Sequence, residues 1–162
     1  MELEETVARL IIEQDLRLAV AETTCGGLVS ARLLSVSGSS AYFDRGVVAY
    51  SRAAKVDMLG VPAELLDEHG AVSEEVVGAM AEAVQRTSGV DIGIAETGIA
   101  GPRRGRSSKP IGTGCIAVAT TASTKCETHQ FGGDRVAIRE AIADGLLRLL
   151  TTCLNEEGAG SQ

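Results

Sequence analysis

Between Glu4 and Glu13 the apolar positions Val7, Leu10 and Ile11 fall three and four residues apart against a polar remainder, the pattern of an amphipathic helix covering one side of a sheet. From Leu16 to Ala21 the period drops to two, with Leu16, Leu18 and Val20 set against Arg17 and Ala19, and predicts a first strand. That strand runs into Glu22-Thr23-Thr24-Cys25-Gly26-Gly27, after which Leu28, Val29, Leu33 and Leu34 return to helical spacing as far as Ser35. Phe43 to Ser51 predicts a second strand, with Val47 and Val48 in its interior. A helix from Arg52 to Leu59 follows, stopped by Gly60 and Pro62. Glu64 to Glu68 is a short helix broken at His69-Gly70. Ser73 then caps a longer helix reaching Thr87, whose Val76, Val77, Met80 and Val84 share one face.

Asp91 to Glu96, with Ile92, Ile94 and Ala95, predicts a short buried strand ending in Thr97-Gly98-Ile99-Ala100-Gly101-Pro102. Gly112 to Thr121 and Cys126 to Phe131 form two more strands, most simply a hairpin. Asp134 caps a last helix carrying Ile138, Ile142, Leu146, Leu149 and Cys153. Helix, strand, helix, strand, helices, three strands and a helix compose a three-layer α/β/α sandwich with a mixed sheet. No internal repeat or linker divides the chain, so residues 1–154 are expected to form one domain and residues 155–162 a disordered tail.

Composition narrows this further. Hydrophobic residues make up 44% of the 162 residues and aromatics only 2%, so Ala, Val, Leu and Ile must build the core. A formal charge of −7 argues against nucleic-acid partners, which call for a basic face, although local donors can still bind a small anion. The acidic start Met1-Glu-Leu-Glu-Glu and the lack of a long apolar run predict a cytoplasmic protein with no membrane contact. Cys25, Cys115, Cys126 and Cys153 are scattered, with only His69 and His129 to join them, so neither a metal nor another cofactor is expected.

Three stretches carry candidate chemistry. The turn from Glu22 to Gly27 follows a strand and opens a helix, a place where unpaired N–H groups can hold an anion or simply connect two elements. Ser40 lies on a Gly-opened turn, Tyr50 near a strand end and Lys55 inside a helix. A lysine whose charge is suppressed by burial can take a proton from a hydroxyl and make it a nucleophile, whereas most helix lysines are simply solvated. Arg103-Arg104-Gly105-Arg106-Ser107-Ser108-Lys109 is the basic cluster of an acidic chain, either solvated surface or a phosphate-holding loop. Arg135 begins the last helix, where a cation needs an anionic partner.

Taken together, Ala21-Glu22-Thr23-Thr24-Cys25-Gly26-Gly27, Gly38-Ser39-Ser40-Ala41-Tyr42-Phe43, Gly46-Val47-Val48-Ala49-Tyr50-Ser51, Ala54-Lys55, His69-Gly70-Ala71-Val72-Ser73, Thr97-Gly98-Ile99-Ala100-Gly101-Pro102 and Gly133-Asp134-Arg135 resemble the CinA C-terminal domain family. That family includes nicotinamide-nucleotide amidohydrolases. The resemblance implies hydrolysis of the carboxamide of nicotinamide mononucleotide to nicotinate mononucleotide and ammonia, by a metal-independent serine and lysine pair. Carried onto this chain it implies Ser40 as nucleophile, Lys55 as base and Tyr50 as proton relay. Thr23, Gly26, Gly27, Thr97, Gly98, Gly101, Arg103 and Arg135 would line the substrate pocket, and the protein would be a homo-oligomer.

Two departures bear on these assignments. Where the family reads Glu-Ser-Cys-Thr-Gly-Gly this chain has Thr23 and Cys25 in place of the serine and the threonine, and the loop after Pro102 carries Arg103, Arg104 and Arg106. The nucleophile then falls to Ser40 or to the Thr23 position. A Cys25 thiol hydrolase and a domain that binds nucleotides without turnover stand as alternatives.

Overall fold

Along the central strands, alternation sorts side chains by size as well as by face. Leu18 and Val20 of β1 (Leu18–Glu22), Ile92 and Ile94 of β3 (Ile92–Gly98), and Ile116 and Val118 of β4 (Thr113–Ala119) share one buried cluster. It also holds Val7, Leu10 and Ile11 of α1 (Glu2–Glu13), Val29 and Leu33 of α2 (Leu28–Leu34), and a row from Ile138 to Leu154 of α6 (Arg135–Gly160). The opposite face carries Ala19, Ala21, Ala95, Cys115, Ala117 and Ala119, packed against Val76, Val77, Met80 and Val84 of α5 (Glu74–Ser88). A face of alanines lets a helix come close. Opposite α5 at Gly93, an added Cβ would lie 2.0 Å from the Ala81 carbonyl oxygen, so only glycine fits there.

This computed structural model describes residues 2–160. Its sheet runs β2 (Phe43–Val48), β1, β3, β4, β5 (Thr124–Gln130), with β1 parallel to both β2 and β3 and the last two strands antiparallel. Helices α1, α2 and α6 cover one face. The other is covered by α5 with α3 (Arg52–Leu59) and α4 (Ala63–His69) beside it. The three-layer mixed α/β architecture is therefore the one the sequence pattern predicts. On the α6 side Arg32 ties three helices together, its Nε 2.5 Å from Glu4 of α1 and a terminal nitrogen 2.7 Å from Asp144 of α6.

Boundaries moved where tertiary contacts intervene. The predicted disordered tail is helical to Gly160: α6 continues past Leu154, whose carbonyl accepts from Gln14, and Glu156 pairs with Lys125 of β5. Residues 161 and 162 lie outside the described residues. Among the described residues no helix is long and apolar enough to cross a membrane.

The strand order also locates the site. The chain leaves β1 toward β2 on one side and returns to β3 on the other, so the β1/β3 boundary is where connections diverge and a crevice opens beyond the carboxyl ends of parallel strands.

Candidate active site

A cavity of about 650 Å³ occupies that position, within the range of small-molecule sites. Thr23 and Thr24 enter it from the end of β1, Thr97 and Gly98 from the end of β3, and Tyr50 and Lys55 from the segment after β2. The 98–101 stretch, the 103–109 loop, the 69–72 turn and Arg135 complete its walls.

Lys55 is the unusual member, a lysine only 2% exposed. Ser51 caps α3 by accepting from the Ala54 N–H at 3.0 Å, which sets Lys55 near the start of that helix. Its Nζ donates to the Tyr50 carbonyl at 2.9 Å. Burial holds the amine below the usual lysine value, opposed by the negative charge of Glu96. Thr23 lines the same cavity, and the Thr23 hydroxyl donates to the Ala49 carbonyl at 3.0 Å. Consecutive carbonyls of one extended segment thus hold the candidate base and a candidate hydroxyl nucleophile.

Ser40 is elsewhere. It lies on a single 3-10 turn, Ser39–Ala41, that precedes β2, whereas Tyr50 and Lys55 follow β2. A six-residue strand spans about 20 Å, so Ser40 is exposed at the opposite end of the sheet and is absent from the cavity wall. The Ser40–Lys55 pair read from the sequence is not formed. Gly26 and Gly27 also lie outside the cavity, while Thr23, Tyr50, Lys55, Thr97, Gly98, Gly101, Arg103 and Arg135 line it. Tyr50 supplies its carbonyl to Lys55 and leaves its ring 65% exposed at the rim.

Of the two readings of the Gly-rich turn, an anion site or a plain connection, the structure shows a connection in which two buried carboxylates of the chain take most of the N–H groups. Glu22, at the end of β1, accepts from the N–H groups of Gly27, Val29 and Ser30 at 3.1, 2.9 and 3.0 Å and from the Ser30 hydroxyl at 2.6 Å. Glu96 of β3 accepts from Thr23, Thr24 and Cys25 at 2.6, 3.2 and 2.9 Å. Both glutamates are 0% exposed. Desolvation pushes Glu96 up to about 7 against the pull of those hydrogen bonds. Arg139 of α6 secures the other side of the turn, donating to the Thr24 carbonyl at 2.9 Å and the Cys25 carbonyl at 2.7 Å.

Glu22, Cys25 and Glu96 present ligand-type atoms within 4.8 Å of one another, but seven donors already take up most of the carboxylate lone pairs. Cys25 is 0% exposed, and burial together with the Glu96 and Glu22 charges pushes its thiol far above the usual cysteine value. Cys25 is also absent from the cavity wall, so the geometry does not favour it as a nucleophile.

Sequence reasoning passed over Glu22, Glu96 and Arg139. The first two carried a signal, a carboxylate at or near the end of a buried, mostly apolar strand. Arg139 carried none, being one charged residue among several on a long helix.

The rim is cationic. Arg135 donates to the Gly101 carbonyl at 2.7 Å, and Lys109 anchors on the Val72 carbonyl across the cleft. Arg103, Arg104 and Arg106 stand between them on the polar stretch that follows Pro102. Among the described residues none of these five cations pairs with a carboxylate, while Arg9, Arg17, Arg32, Arg45, Arg52 and Lys125 all do. A cleft of this kind favours an anionic ligand.

Known proteins share both sequence and architecture. Residues 1–154 match the CinA C-terminal domain. A CinA-like protein of Syntrophobacter fumaroxidans is 46% identical over 155 residues, 96% of this chain and 37% of that protein. A CinA-like protein of Syntrophus aciditrophicus is 48% identical over 149 residues, 91% of this chain and 36% of that protein. The chain thus spans a little over a third of the length of these relatives. A crystal structure of a competence-damaged protein (CinA) superfamily protein from Klebsiella pneumoniae superposes with TM-score 0.93 at 35% identity, covering 96% of this chain and 97% of that one. One of a competence/damage inducible protein from Agrobacterium tumefaciens gives 0.88 at 36% identity, covering 96% of each chain. By its sequence, its fold and the motifs that meet at the crevice, this chain belongs to the CinA C-terminal domain family.

Proposed function

We propose that the chain is an amidohydrolase that converts nicotinamide mononucleotide to nicotinate mononucleotide and ammonia, with Thr23 as nucleophile and Lys55 as its base. The observation that carries this reading is a lysine held 2% exposed and below its usual pKa in the same cavity as a threonine hydroxyl. The substrate class comes from the family resemblance and is compatible with the unpaired cations of the rim.

Neutral Lys55 accepts the Thr23 hydroxyl proton as Oγ1 attacks the carboxamide carbon. Ala100 and Gly101 line the cavity and their N–H groups have no acceptor among the described residues, which makes them candidate donors to the oxyanion. The C–N bond breaks as Lys55 returns the proton to the leaving nitrogen, releasing ammonia and leaving the nicotinoyl group esterified to Thr23. Water, deprotonated by Lys55, then attacks the ester carbonyl. Its C–O bond to Thr23 breaks, the hydroxyl recovers a proton, and the carboxylate product departs. Arg135, with the loop arginines, holds the nucleotide phosphate.

Ammonia release from nicotinamide mononucleotide is the direct assay. Turnover that is abolished in Thr23→Val and Lys55→Ala, and retained in Ser40→Ala, is the expected result. If the nucleotide raises Tm and no ammonia forms after long incubation, the domain binds nucleotides without hydrolysing them.

A further inference from the structure

Glu96 costs the fold a buried charge or a buried proton, and a strand end has cheaper ways to stop. Its three acceptor contacts are with successive N–H groups of Thr23, Thr24 and Cys25, the shortest at 2.6 Å to Thr23 itself. Glu22 performs the neighbouring task on Gly27, Val29 and Ser30, so the β1–α2 turn is gripped by one carboxylate for its first half and another for its second. The two differ in what else they reach. The Glu96 charge acts on Lys55, and Glu22 has no such effect on it.

We propose that Glu96 is a positioning residue of this site: its carboxylate fixes the Thr23 main chain through the N–H groups of Thr23, Thr24 and Cys25 and, when ionised, sets a negative charge against Lys55. The proposal rests on the reading of Thr23 and Lys55 as the reacting pair. The charged and titratable groups around Glu96 are Glu22 at the end of β1, the Cys25 thiol of the turn, Lys55 of α3, and Arg139 of α6 on the far side of the turn. Above Lys55 the cavity adds His69, Lys109 and Arg135.

The charge of Glu96 favours the ammonium form of Lys55, and burial favours the free amine. Removing the charge therefore leaves more neutral Lys55 above about pH 7, where Glu96 is ionised. Burial keeps Glu96 itself protonated until about pH 7, so its charge reaches Lys55 only above that pH.

The test compares the pH dependence of kcat/KM for nicotinamide mononucleotide in the wild type, Glu96→Gln and Glu22→Gln. Glu96→Gln should lower kcat through the loosened Thr23. It should also move the limb that reports neutral Lys55 down by roughly one pH unit over the range above about pH 7 in which wild-type Glu96 is ionised. Glu22→Gln should lower activity and leave the limb where it is. A limb that stays put in Glu96→Gln, or moves equally in both variants, overturns the proposal.

A second readout needs neither turnover nor a folded variant. Competitive labelling of wild-type lysines with acetic anhydride across pH, followed by peptide mass spectrometry, should give Lys55 a two-step titration. A simple one-site curve overturns the Glu96 link. A two-step curve in a protein that releases no ammonia would support that link while overturning the hydrolase reading.

Discussion

Ser40 and Lys55 flank the same strand, one before β2 and the other after it, and the fold treats them in opposite ways. The leading end of β2 is an exposed 3-10 turn whose buried neighbour Tyr42 spends its hydroxyl on the Leu33 carbonyl at 2.6 Å, a packing task. The trailing end meets the carboxyl ends of β1 and β3, where the chain's two directions of travel part and helices cannot close the gap. Polar residues at the first end remain in water. At the second they are gathered, desolvated and held by main-chain carbonyls, so charge and hydroxyl chemistry change there.

Substitutions at the two ends should therefore differ by orders of magnitude. The largest effect belongs to the reacting pair: Lys55→Ala or Thr23→Val is expected to lower kcat/KM for ammonia release by roughly 10³-fold or more. Thr23→Ser, which keeps the hydroxyl and removes a methyl, should retain turnover.

Next comes the proton on Glu96. A folded-state value of about 7 lies above the ordinary carboxyl value of 4.5, so the folded protein keeps a proton that the unfolded chain releases. The contribution is complete below pH 4.5 and is lost as pH rises through 7, amounting to roughly 3 kcal/mol. Urea unfolding at pH 4.5 and 8 should show this drop in the wild type and not in Glu96→Gln.

Arg135→Ala should have an intermediate effect, raising KM about tenfold with little change in kcat, because it removes a phosphate contact far from the reacting carbon. Added salt should narrow the difference between the two proteins. Smallest of all is Ser40→Ala, for which kcat/KM should stay within about twofold and unfolding free energy within about 0.5 kcal/mol. A large loss of activity in Ser40→Ala would break the contrast between the two strand ends.

Much of the site was legible before the fold was known. Thr23, Tyr50, Lys55, Thr97, Gly98, Gly101, Arg103 and Arg135, read from separate motifs, line one cavity. Ser40 does not line that cavity, and the sequence could not show this because a hydroxyl on a Gly-opened turn reads the same at either end of a strand. Gly26 and Gly27 lie outside it for a related reason. A Gly-rich turn at a helix start advertises free donors, and nothing local reveals that Glu96, remote in sequence, will accept from them.

The sequence by itself determined the elements, the large and small faces of the sheet and the residue types that chemistry requires. Periodicity, capping and composition act over a few residues and leave their mark in the chain. Tertiary structure alone decided which end of each strand opens onto the crevice, which N–H groups stay free, and which lysine loses its water. Those outcomes depend on strand order and on burial among residues brought from distant parts of the chain, and desolvation is a property of the assembled surroundings rather than of the side chain.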